Sequence, residues 1–179
     1  MSYFAAAVVR GEDGWSTAEV DLGGAADLDE VADRLRDVDP DAGVSLLFVE
    51  SDDAYLAILR LDEGDDLRVF GSDSAFAEES RLGSLLVGDL KAPALDIDDV
   101  VEPKVRAAAG DDEDESADEP AADPDADPVG EADILADLGI PTQRLLTLCA
   151  HEGNLPADVT AEICRVLGCG DEVEELREA

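Results

Sequence analysis

One histidine, two lysines, three cysteines and seven aromatic side chains are all that this 179-residue chain holds of those types. Each scarcity excludes something. With so few rings the core must rest on Leu, Val, Ile and Ala. A Ser or Cys triad would have to use His151, and no G-x-S-x-G surrounds any serine; Gly83-Ser84 sits in RLGSLLVG, which fits helix packing instead. No apolar run reaches ~18 residues, so no membrane span is expected. The start, MSYFAAAVVRGED, places no basic residue before its short apolar stretch, which argues against a secretory signal. An odd number of cysteines without an export signal suggests free thiols in a reducing, cytoplasmic setting.

Acid is what the chain has in excess: 47 Asp and Glu against 12 Lys and Arg, a formal net charge of −35. Residues 1–106 carry 26 acids and 9 bases, residues 107–130 ten acids and no base, and residues 131–179 eleven acids and three bases. Nucleic-acid affinity is mostly phosphate neutralisation by Lys and Arg, so a chain acidic in every part is expected to avoid DNA, RNA and anionic lipid. The acidity also serves solubility, and ten Arg to two Lys is consistent with GC-rich coding.

Hydrophobic patterning predicts an α+β fold, a small and mostly antiparallel sheet with one or two helices. YFAAAVVR and WSTAEVDL flank the turn GEDG, a hairpin signal. In DLDEVADRLRDV, Leu28, Val31, Leu35 and Val38 recur at helical spacing, and Pro40 ends the pattern. VSLLFVE, AYLAILRL and DLRVFGS follow as strands, the first two so continuously apolar that they read as buried on both faces. AFAEESRLGSLLVGDL reads as helix interrupted at Gly83. The chain divides on this reading into an α+β domain (1–102), an acidic disordered linker (103–130) and a helical module (131–179). The linker, AAAGDDEDESADEPAADPDADPVG at its heart, cannot bury enough apolar surface to offset its ordering entropy. The module is close to the lower limit for independent stability and is expected to lean on the first domain or on a partner.

Cys149, His151, Cys164 and Cys169 lie within 21 residues, and each is a possible zinc ligand. Their intervals, C-x-H and C-x4-C, are not a standard zinc pair, and residues two apart on a helix point about 200° from each other. His151-Glu152 lacks the H-x-E and C-x-x-C spacing of zinc nucleobase deaminases, so the chain is not expected to be one. Neither a Walker nor a dinucleotide glycine pattern occurs. Asp52-Asp53 and Asp65-Asp66 lie in turns, where Asp is favoured without any cation. No catalytic, cofactor or metal residue is assigned.

The segments SYFAAAVVRGEDGWSTAEV, LRVFGSDS and DILADLGIPTQRLLTLCAHEGNLPADVTAEICRVLGCGDEVEEL resemble the actinobacterial tRNA adenosine deaminase-associated proteins. The LGIP step, the LPADVTAEICRVLG helix and the GDEVEEL ending carry most of the likeness. Cys169 and Val173 stand where the family more often has an aromatic, and His151 with Gly153 where it tends to have acids. The resemblance implies a pathway or a contact shared with a tRNA adenosine deaminase, and no catalytic residues. The expected function is a non-enzymatic accessory protein that binds a basic protein partner through its acidic surface and the apolar stripe Val159, Ile163 and Val166. The alternatives are a metal-dependent enzyme of unrecognised type and a soluble acidic regulator unrelated to tRNA modification.

Overall fold

The computed structural model describes residues 3–51, 54–90, 128–150 and 154–179. Residues 103–127 of the expected linker, with Asp52-Asp53 and His151, lie outside them. Six strands form one antiparallel sheet: β1 (Tyr3–Gly11), β2 (Gly14–Glu19), β3 (Val44–Ser51), β4 (Tyr55–Asp62), β5 (Asp66–Gly71) and β6 (Val129–Gly130), in the order β2-β1-β3-β4-β5-β6. The fold is α+β, as the patterning predicts.

The continuous apolar runs have a direct structural reason. Successive side chains of a strand point to opposite faces, and here both faces are covered. Leu47 and Val49 of β3, and Ala57, Leu59 and Leu61 of β4, enter one core. Leu46, Phe48, Leu56 and Ile58 enter a second core on the other side.

Three helices cover the first face: α1 (Leu28–Val38), α2 (Ala75–Glu79) and α3 (Arg81–Val87). In α1 the Asp27 carboxylate accepts a hydrogen bond from the Glu30 amide at 2.9 Å, and the Glu30 side chain accepts one from the Ala26 amide at 2.9 Å. The first bond satisfies one of the amides a helix start leaves open, and the second ties the preceding residue to the first turn. Val31 and Leu35 are fully buried on the sheet. The break expected at Gly83 falls at Ser80 instead. Its hydroxyl accepts from the amides of Leu82 and Gly83 at 3.1 and 3.2 Å, so a new helix starts there. Gly83 serves close approach: a Cβ on it would lie 1.9 Å from the Phe76 carbonyl oxygen.

The second face is covered by the described helical elements that follow β6, while Val129 of β6 itself joins the first core. β6 pairs Val129 with Gly71 and Gly130 with Phe70, so the last two residues of the 103–130 stretch belong to the sheet edge. A 3-10 turn (Ala136–Leu138) ends at Gly139 in the left-handed region. Then come α4 (Thr142–Ala150), α5 (Pro156–Leu167) and α6 (Gly170–Glu178). Pro156 opens α5 as a helix-start proline, with the Asp158 carboxylate accepting from the Leu155 amide at 3.1 Å. Ile134, Leu145, Val159, Ile163 and Val173 from this layer pack on Val8, Phe48, Ile58 and Phe70 of the sheet. At roughly 1.5–3 kcal/mol per buried apolar side chain, this contact is a principal hydrophobic term of the fold.

Candidate interaction surface

Two arginines fasten the second layer to the sheet. Arg60 on β4 is 5 % exposed. Its guanidinium donates to the Ile134 carbonyl at 2.8 Å and to the carboxylates of Asp62 and Asp137 at 3.0 and 2.7 Å. The Arg60 hydrogen bond holds the Asp137 carboxyl below the usual carboxylate range. Across the sheet, Arg177 of α6 donates to Glu50 of β3 at 2.5 Å and lies over the Phe4 ring, 5.2 Å from its centroid. Neither arginine belongs to a motif in the sequence. The available signal was a charge inside an otherwise apolar strand run, Arg60 in AYLAILRL and Glu50 in VSLLFVE.

Two of the three residues of the apolar stripe expected to dock a partner are buried within the chain itself. Val159 is 3 % exposed and Ile163 fully buried, because that side of α5 faces the sheet. Only Val166, at 37 %, looks outward. Helical spacing identifies a buried side without saying whether the chain itself or another molecule buries it.

Of the zinc candidates, the three cysteines lie among the described residues. Cys149 on α4 is half-buried, and burial pushes its thiol up to about 12. Cys164 and Cys169 are buried together at the α5–α6 corner as free thiols. Among the described residues, no three His, Cys, Asp or Glu side chains are grouped to hold a metal ion.

Acidic side chains are concentrated on three touching loops at one end of the sheet. The register sets Arg10, Val44, Asp62 and Asp66 side by side, with Gly11 and Gly14 next to them. The β1–β2, α1–β3 and β4–β5 turns therefore meet there, with the Gly43 amide donating to the Arg10 carbonyl at 3.2 Å and the Glu63 amide to the Gly43 carbonyl at 3.0 Å. Glu12, Asp13, Asp41, Glu63 and Asp65 on these loops, and Asp66 at the start of β5, are exposed. Arg36 helps tie the end together, donating through Nε to the Gly64 carbonyl at 2.8 Å. A second acidic surface is the outer side of α6, where Asp171, Glu172, Glu174, Glu175 and Glu178 are exposed and Arg177 turns inward to Glu50. Between α1 and α3 a recess of about 490 Å³ is lined by Leu28, Leu85, Leu90 and, among polar groups, Asp27, Asp29, Arg81 and Asp89. Among the described residues, no helix is long and apolar enough to cross a membrane.

Neither the curated proteins nor the solved structures contain a match to this chain. A family model does match, over residues 3–170, a span that includes strands of the sheet and helices of both covering layers. The chain belongs to the Rv3753c-like tRNA adenosine deaminase-associated protein family.

Proposed function

We propose that the protein is a non-enzymatic accessory factor that binds the cationic face of a protein partner, the tRNA adenosine deaminase of the family's description being the first candidate. The observation that carries this reading is the gathering of exposed carboxylates on three adjoining loops, with a further acidic surface on α6. An enzyme that handles tRNA presents basic side chains to phosphate, and the same side chains attract a strongly acidic protein. With the apolar side of α5 occupied by the sheet, recognition falls to charge and to the shape of the loop end. Phosphate competes for the same basic face, so the accessory protein restrains tRNA binding or hands tRNA over, and acts in the cytoplasm where that substrate is found.

Co-purification with the deaminase over a salt series tests this. A complex is expected at ~50 mM salt and should weaken steeply toward ~0.5 M as screening shortens the electrostatic reach. Replacing Glu12, Asp13, Glu63 and Asp65 by their amides should lower affinity at low salt by roughly tenfold, equivalent to about 1.4 kcal/mol. Absence of a complex at ~50 mM salt, or one indifferent to both salt and these replacements, would refute the reading.

A further inference from the structure

The buried thiol pair at the α5–α6 corner plays no part in the proposed partner binding, and its backbone setting is specific. Gly168 closes α5 in the left-handed region at φ 94°, and the amides of Gly168 and Cys169 both donate to the Cys164 carbonyl at 2.9 Å. This helix-ending geometry folds the chain back, so that the residue after the glycine meets the residue one turn inside the helix. The hydrogen bond between Cys169 and the Cys164 carbonyl keeps the two Cα atoms within about 6.8 Å, given standard backbone dimensions; disulfides bridge roughly 4.4–6.8 Å. Both side chains are fully buried in the same core.

We propose that Cys164 and Cys169 form a reversible intrachain disulfide, with a hydroperoxide as oxidant, which fastens the end of α5 to the start of α6. The two thiols are chemically unequal. Interaction between the two sulfurs lowers Cys169 and raises Cys164, so Cys169 is the nucleophile of the proposed step. Its thiolate attacks the peroxide, the O–O bond breaks, and water or an alcohol leaves with a proton while Cys169 becomes a sulfenic acid. The Cys164 sulfur then attacks the Cys169 sulfur; the S–O bond breaks, and water leaves with the Cys164 proton. Two thiols are oxidised by two electrons and one hydroperoxide is reduced. A recess of about 260 Å³ at this corner is lined by Arg165, Gly168, Gly170, Asp171 and Glu174; Cys169, between the two glycines in sequence, is itself fully buried, so the peroxide reaches it when the corner opens locally. Cys149 has desolvation alone acting on its thiol, which pushes it up to about 12, whereas the neighbouring Cys164 lowers Cys169.

The test uses the full chain treated with excess hydrogen peroxide, quenched, denatured and alkylated with iodoacetamide before intact-mass and tryptic analysis. One alkyl group is expected in place of the three carried by untreated protein. Trypsin cuts after Arg165, so the disulfide should appear as a cross-link between peptides 145–165 and 166–177. Because Cys149 shares the first peptide with Cys164, the cross-link must persist in Cys149→Ala, with no alkyl group left. Dithiothreitol should restore full alkylation. Three alkyl groups after peroxide, oxygen adducts without a cross-link, loss of the cross-link in Cys149→Ala, or failure of dithiothreitol to reverse it would each overturn the proposal.

Discussion

Arg60 shows how a single charge can be placed against the local pattern. It sits in a strand between Leu59 and Leu61, both buried in the core of the other face, and its own side of the strand would otherwise be as apolar as theirs. Its ion pair with Asp137 contributes little, since the Asp137 side chain is 58 % exposed and exposed pairs yield about 0–1 kcal/mol. The hydrogen bond to the Ile134 carbonyl matters more, because losing it leaves a buried acceptor unsatisfied at roughly 1–3 kcal/mol. Arg60→Met should therefore lower urea-measured stability by about 1–3 kcal/mol. The pair also sets a small pH dependence. Asp137 titrates below its unfolded value, so its contribution is complete above the ordinary Asp pKa of about 4 and is lost as pH falls through the depressed value. Arg60→Met should remove that share of the acid-side loss, and an unchanged acid limb would contradict the assignment. Glycines divide by physical role at the same scale. Gly168 meets nothing within 4 Å of a built Cβ and is needed for its positive φ, whereas Gly83 is needed for the space that its absent Cβ leaves to Phe76.

At the scale of elements, the strands and helices were legible because period and punctuation agreed: GEDG, SDD and DEGD separate the runs, and Pro40, Gly139 and Gly168 end the helices. Besides the short β6 inside the stretch expected to be linker, two things were not legible. The helix break at Ser80 depends on a hydroxyl turning back to two amides, which competes locally with a glycine three residues away. The destination of α5 was hidden for a different reason. β3 and β4, apolar on both faces, already required a second covering layer, and the helical module offered unassigned apolar surface, but pairing the two needs tertiary information. The resulting arrangement predicts a sharp contrast within one helix. Ile163→Ala should cost about 2–4 kcal/mol through the cavity it leaves, while Val166→Ala, one helical turn on and exposed, should stay within about 0.5 kcal/mol. Thermal or urea unfolding of the two variants decides it; equal effects would mean that α5 does not face the sheet as described.

For the whole molecule, net charge acts on stability and on association in opposite directions. A chain at −35 repels itself when compact, so salt should raise the unfolding midpoint between ~20 mM and ~0.5 M, even as it weakens attachment to a cationic partner. A midpoint insensitive to salt would show that local pairs such as Arg177 with Glu50, and Arg144 with Glu162 at 2.8 Å, already neutralise the repulsion. The surface that follows from the same charge was readable from composition as a sign, but its concentration at one end of the sheet came from register alone. The contact between α6 and the first hairpin has one more consequence, for biosynthesis. Thr17 on β2 donates to the carbonyl of Glu172, 155 positions later, so one side of the nascent sheet stays bare until the polypeptide beyond residue 170 clears the ribosome. During that interval Phe48, Ile58 and Phe70 are open to chaperones and proteases, and a message truncated inside α5 would yield a product marked for disposal by its own uncovered side.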